Sequence, residues 1–194
     1  GFLNGSQDLI FIEQKYFPPE VLWSEVYDYF DGSTNFTQTI ETNSGDLFSI
    51  GSAVIDDLHH DMFLVKTSSD GQIEINNTLG AAGTNDNGKH FKQTSDGGFI
   101  CLGTKYRPST GKDLWLVKIN DETNEEWSRY FSNDDWSTAD EQAYSIELTE
   151  DGGFVFCGSA NGDAYIIKTN SNGNLLWNLS YPNRVGTSLI ENVN

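Results

Sequence analysis

Positive charge is what this chain most lacks. Eleven Lys and Arg stand against 29 Asp and Glu, a formal net charge of −18. Such a surface repels phosphate backbones and anionic headgroups, so neither nucleic acid nor an anionic membrane surface is expected as a partner. No apolar run approaches the roughly 20 residues of a spanning helix, and membrane insertion is not expected either. The chain opens on Gly1 and carries no leader pattern, which reads as a processed or excised segment. Histidine is limited to His59, His60 and His90, and cysteine to Cys101 and Cys157. A zinc site would need all three histidines to converge. The two cysteines fall at different phases of equivalent strands and read as small buried hydrophobes rather than a disulfide.

Aromatics and turn formers are what the chain has instead. Five Trp, eight Tyr and twelve Phe supply core area, and 19 Gly lie between apolar runs. The chain also repeats itself. Asp8–Ile12 recurs as Asp61–Lys66, Asp113–Lys118 and Asp163–Lys168, in steps of 53, 52 and 50 residues. Trp23, Ile75, Trp127 and Trp177 follow in phase, and Ser44-Gly45-Asp46, Asp96-Gly97-Gly98 and Asp151-Gly152-Gly153 precede. A period near 50 residues built from short apolar runs and tight turns predicts four antiparallel strands per repeat. In the best-defined unit these are Ala143–Thr149, Phe154–Ser159, Asp163–Thr169 and Asn174–Tyr181.

The third strand separates two all-β architectures. In Asp113–Lys118, Leu114 and Leu116 point one way, Trp115 and Val117 the other. A strand with one wet face would alternate apolar and polar, whereas one packed between two neighbouring sheets would not. The expected fold is therefore an all-β, single-domain β-propeller of about four blades, one of them incomplete. Residues 1–37 form a partial blade, 38–89, 90–142 and 143–185 full blades, and 186–194 an extra first strand.

The pattern Thr94-Ser95-Asp96-Gly97-Gly98-Phe99, Gly103, Asp113–Lys118 and Trp127 resembles the propeller repeats of secreted and cell-surface proteins of archaea and bacteria. Thr149–Phe154, Gly158, Asp163–Lys168, Asn172-Gly173 and Trp177 resemble it nearly as well. The 38–89 repeat departs, with Ser44-Gly45-Asp46 for the Asp-Gly-Gly turn and Ile75 for Trp. The resemblance implies propeller structure and an extracellular or cell-surface location. It implies no particular ligand.

The strands around Asp8–Glu13 and Val21–Tyr29 read as the third and fourth of the partial blade, and Gly186–Glu191 as a first strand. Three arrangements follow. The last strand closes a small ring with the N-terminal pair, or the chain is part of a larger propeller, or the strand completes the blade of another copy. In the last case Thr187, Leu189 and Ile190 carry the assembly contact.

Binding surfaces live on long loops held by a rigid scaffold, which points to the end bearing Ala53–His60, Leu79–Lys89, Thr104–Lys112 and Phe131–Gln142. Trp136 and Arg107 are the ligand-face candidates. Asp134, Asp135, Asp140 and Glu141 offer hard oxygen ligands of the kind Ca²⁺ takes, although the ordered calcium-loop motif is absent and a solvated acidic loop is the plainer reading. Gly83–Lys89 imitates a phosphate loop, yet His90 and a strand follow where a hydroxyl and a helix are required. Sequons occur at Asn4, Asn35, Asn76 and Asn178. No nucleophile–base constellation is evident, and no cofactor is expected. The expected function is a non-catalytic extracellular scaffold or binding module, whose partners are other copies, surface proteins or glycans. The alternatives are a filament or lattice subunit joined by terminal strands, and a glycan-acting propeller enzyme.

Overall fold

The computed structural model describes residues 2–3, 9–10, 34–56, 58–132, 141–160 and 162–182. These residues are all-β, with no helix among them. A short hairpin pairs β1 (Phe2–Leu3) with β2 (Leu9–Ile10). Three four-stranded antiparallel sheets follow, each a plain meander. The first holds β3 (Thr34–Glu41), β4 (Leu47–Val54), β5 (His60–Thr67) and β6 (Ile73–Leu79). The second holds β7 (Asp86–Gln93), β8 (Phe99–Arg107), β9 (Gly111–Ile119) and β10 (Glu125–Phe131). The third holds β11 (Glu141–Leu148), β12 (Phe154–Ala160), β13 (Asp163–Thr169) and β14 (Leu175–Tyr181).

The sheets stack face on face. β7 packs against β3, β4 and β5, and β11 packs against β7, β8 and β9. The second sheet is therefore buried on both sides. Phe99, Cys101, Trp115 and Val117 join Phe48, Ile50, Met62 and Leu64 of the first sheet in one core. Ile100, Leu102, Leu114 and Leu116 join Ile146, Phe156, Tyr165 and Ile167 of the third in another. Phe48 stacks on Phe99 across the first seam with ring centroids 3.9 Å apart. The doubly apolar third strand read from the sequence is explained by these two cores. Cys101 and Cys157 are both buried, and no disulfide joins them.

The two halves of the repeat motif form one staple. The Lys118 ammonium, from the third strand, lies 3.0 Å from Asp96 of the tight turn. Asp96 accepts from the Thr94 hydroxyl at 2.5 Å and the Gly98 amide at 3.1 Å. Lys168, Asp151, Thr149 and Gly153 repeat it, with Lys168 at 2.8 Å from Asp151. In the first sheet Lys66 meets Asp46 at 3.1 Å, so the displaced acid of Ser44-Gly45-Asp46 reaches the same ammonium. Gly97 and Gly152 take φ of +89° and +76° to make these turns.

The structure corrects the sequence reading at two places. First strands begin at Thr34, Asp86 and Glu141 rather than at residues 38, 90 and 143. Each carries a bulge, at Phe36/Gln38, Gly88/His90 and Ala143/Ser145, which breaks the alternation and hides the leading half of the strand. Residues 86–89 are consequently strand rather than loop. The repeat phase predicts only a third and a fourth strand in the N-terminal segment. Instead Leu9–Ile10 pairs back onto Phe2–Leu3, as β13 pairs with β12, so part of a second strand is present too. Val21–Tyr29 and Gly186–Glu191, including Thr187, Leu189 and Ile190, lie outside the described residues.

Candidate functional site

Strand direction sets two ends to each sheet. At one end lie the Asp-Gly-Gly turns, and at the other the β4–β5, β6–β7, β8–β9 and β12–β13 connections. The second end collects the polar side chains, chiefly along the seam between the first two sheets. Asp86, wholly buried, opens β7 there. It accepts from Lys105 at 2.7 Å, from the amides of Tyr106 and Ala81 at 3.0 Å each, and from Thr84 at 3.0 Å. The Lys105 ammonium also sits 4.3 Å above the Trp115 ring.

Around this anchor lie Asp56, His59, His60 and Asp61. Asp56 caps its own loop, accepting from the Leu58 and His59 amides and from His59 Nδ1 at 2.8 Å. These bonds hold its carboxyl below the usual range, the Leu58 amide most. Asp61 moves the other way. Burial raises its pKa, and the nearby Asp86 charge adds to the rise. A cavity of about 420 Å³ opens beside this cluster, lined by Asn35, Ser52, Val54, His60 and Asn87. Ser52 donates to Asn87 Oδ1 at 3.1 Å, which orients the Asn87 amide. Amide, hydroxyl and imidazole groups offer the donors and acceptors that a hydroxyl-rich ligand takes.

Two further clefts lie at the tight-turn end, one in each seam. The first, about 390 Å³, is bounded by Lys66 and Phe99 among others, the second, about 350 Å³, by Lys118 and Phe154. Their lysines are engaged by Asp46 and Glu74, and by Asp96 and Glu126. These clefts are by-products of the staple, and the long-loop reading did not anticipate them.

Of the candidates read from sequence, Arg107 is at the expected end but occupied. It reaches Asp113 at 3.0 Å and lies 4.9 Å over the Tyr130 ring. Glu141 opens β11 and is wholly buried, at the position that Asp86 holds in β7. Asp134, Asp135, Trp136 and Asp140 lie outside the described residues. Among the described residues no group of three or more metal-ligating side chains converges. Asn35, Asn76 and Asn178 are exposed. Asn76 and Asn178 occupy the same place on outermost strands, opposite Val65 and Ile167. Asn4 lies outside the described residues. Sequence reasoning missed Asp61, Asp86 and Asn87. The available signal was Asp86 and Glu141 at matching points of the repeat, concealed by the bulges.

No protein-family model and no curated protein matches the chain. A solved structure does resemble it: a crystal structure of a protein of unknown function from Bacteroides caccae, with a TM-score of 0.53 and 13% identity. The match covers 84% of this chain and 51% of that one. The likeness is one of fold, and this chain spans about half the length of that structure.

Proposed function

We propose that this protein is a non-catalytic β-propeller, exported or displayed at the cell surface, that serves as a scaffold or binding module. The observation carrying this reading is the use made of its ionic side chains. Lys66, Lys118 and Lys168 tie turns to third strands, while Asp86–Lys105 and Asp113–Arg107 tie the connections at the other end. Reactive groups in an enzyme are held facing a cleft, with neighbours that tune them for proton transfer. Here the paired groups brace turns and strands within each sheet. The repeated seams support a radial array, because each sheet offers both faces to neighbours.

The ligand end is the one bearing Asn35, Ser52, His60 and Asn87. Its preferred ligand is a neutral surface glycan, since an acidic protein of charge −18 disfavours anionic ones. Exposed sequons at Asn35, Asn76 and Asn178 are compatible with an extracellular setting. A glycan array followed by titration calorimetry tests the reading. Saturable binding to a neutral glycan, weakened about tenfold or more by Asn87→Ala, is the expected result (about 1.4 kcal/mol per decade). Turnover of any glycoside or alcohol substrate, with or without Ca²⁺, would overturn it.

A further inference from the structure

One pairing recurs at the loop end of all three four-stranded sheets. Asn35 of β3 stands opposite Ser52 of β4, Asn87 of β7 opposite Thr104 of β8, and Gln142 of β11 opposite Ser159 of β12. A carboxamide on the first strand and a hydroxyl on the second keep one register position. The residues on either side differ: Thr34, Asp86 and Glu141 before the carboxamide, Phe36, Gly88 and Ala143 after it. The hydroxyls lie deeper, with Thr104 and Ser159 buried and Ser52 half-buried. The carboxamides lie outward, with Asn35 and Gln142 exposed and Asn87 half-buried. A hydroxyl orients two of them through the oxygen. Ser52 donates to Asn87 Oδ1 at 3.1 Å, and Tyr144 donates to Gln142 Oε1 at 3.2 Å. Tyr144 in turn lies 3.2 Å from Ser159 Oγ, so the hydroxyl opposite Gln142 acts on it through the phenol. An oxygen so engaged leaves the NH2 group, with its two donors, for other contacts.

The three pairs also adjoin. Second-strand hydroxyls reach the first strand of the next sheet: Ser52 meets Asn87 across the first seam, and Thr104 accepts from the Ala143 amide at 3.2 Å across the second. Asn35 and Asn87 line one cavity, and Gln142 is the chain neighbour of the residue that Thr104 holds. The carboxamides therefore form a row along β3, β7 and β11, which pack one on the next. Stacked sheets lie about 10 Å apart, so the row is up to roughly 20 Å long, more than one sugar ring spans. We propose that Gln142, set by Tyr144 and Ser159, is a second ligand contact equivalent to Asn87, and that the row binds a chain of sugar units rather than a single one. Hydroxyl and ring oxygens of successive units accept from the NH2 groups. The proposal rests on the glycan-binding reading of the loop end and extends it from one seam to two.

Titration calorimetry with the neutral glycan selected on the array, and with its own fragments from one sugar unit upward, is the test. Affinity should rise about tenfold or more from the single unit to the full chain. Gln142→Ala should cancel that gain and leave the single unit's affinity unchanged, whereas Asn87→Ala should weaken every length. Gln142→Glu keeps the shape and the Tyr144 bond but puts an acceptor where the NH2 donors were, so the same loss is expected. Melting temperatures of the Gln142 variants should match the wild type. A single unit that binds as tightly as the chain overturns the proposal. So does a chain weakened by Asn87→Ala but by neither Gln142 variant, and in both cases the glycan reading stands. A lowered melting temperature with unchanged affinity makes the pairs braces between strands and overturns it as well. If no neutral glycan on the array binds, both readings fall.

Discussion

At the residue scale, His90 is the side chain whose environment makes the sharpest demand. It follows the β7 bulge, as Gln38 follows the β3 bulge. Each accepts a backbone N–H from the next sheet's first strand: Phe91 to Gln38 at 2.7 Å, Ile146 to His90 Nδ1 at 3.3 Å. That acceptor role requires a neutral ring. Burial holds the His90 pKa below its ordinary 6.5, with the Lys92 charge helping and Glu147 opposing. The unfolded chain therefore takes the proton first. Stability is whole above about pH 6.5 and falls as pH drops through the lower folded value. Urea unfolding at pH 7.5 and 5 should show this loss in the wild type. His90→Gln should flatten it while shifting pH 7.5 stability by no more than about 1 kcal/mol. The staple acids act lower on the scale. Lys168, then Thr149, holds the Asp151 carboxyl far below 3.8, and Thr94 and Lys118 hold Asp96 down. Their contribution is present above the unfolded value and is lost as pH falls through the folded one. Lys168→Met should raise the midpoint of acid unfolding, read by circular dichroism.

At the element scale, register is the vulnerable quantity. Gly103 faces the β7 bulge, and a Cβ there would lie 2.1 Å from the Asn87 carbonyl oxygen. Gly158 repeats the arrangement against Gln142 at 2.3 Å. Gly103→Ala must open the β7–β8 pair, at a cost of about 1–3 kcal/mol in denaturant titration. Phe99→Ala acts through packing instead. It empties the stack on Phe48, and about 3–5 kcal/mol should be lost. The glycines at both places are visible in the sequence as part of the repeat. Their reason is not, because the bulge that brings a carbonyl against each of them leaves no mark in the apolar alternation.

At the scale of the whole molecule, charge and seams oppose one another. Eighteen excess negative charges are spread over sheets braced by ionic staples and joined at the two described seams by apolar cores. Self-repulsion of this kind is screened within about 10 Å at 0.1 M salt. Raising NaCl from about 10 to 300 mM should therefore raise the melting temperature by a few degrees. A staple-dominated protein would instead lose stability with added salt. The sheet count was legible because each repeat buries both faces of its third strand, and that demand writes an apolar run at Asp61–Lys66, Asp113–Lys118 and Asp163–Lys168. The candidate site was legible only as an end of the molecule.

The chain's own order of residues determined strands, turns and period, because these rest on neighbours a few positions apart: alternation, glycine at positive φ, an apolar run on both faces. Which residues distant in the chain meet was decided only in three dimensions. Asp86 with Lys105, Asp61 near Asp86, and Gln38 with Phe91 join residues 19, 25 and 53 positions apart. So was the difference between Trp127, covered, and Trp177, bare. The two share a motif, and among the described residues only Trp127 has a further sheet packed on its face.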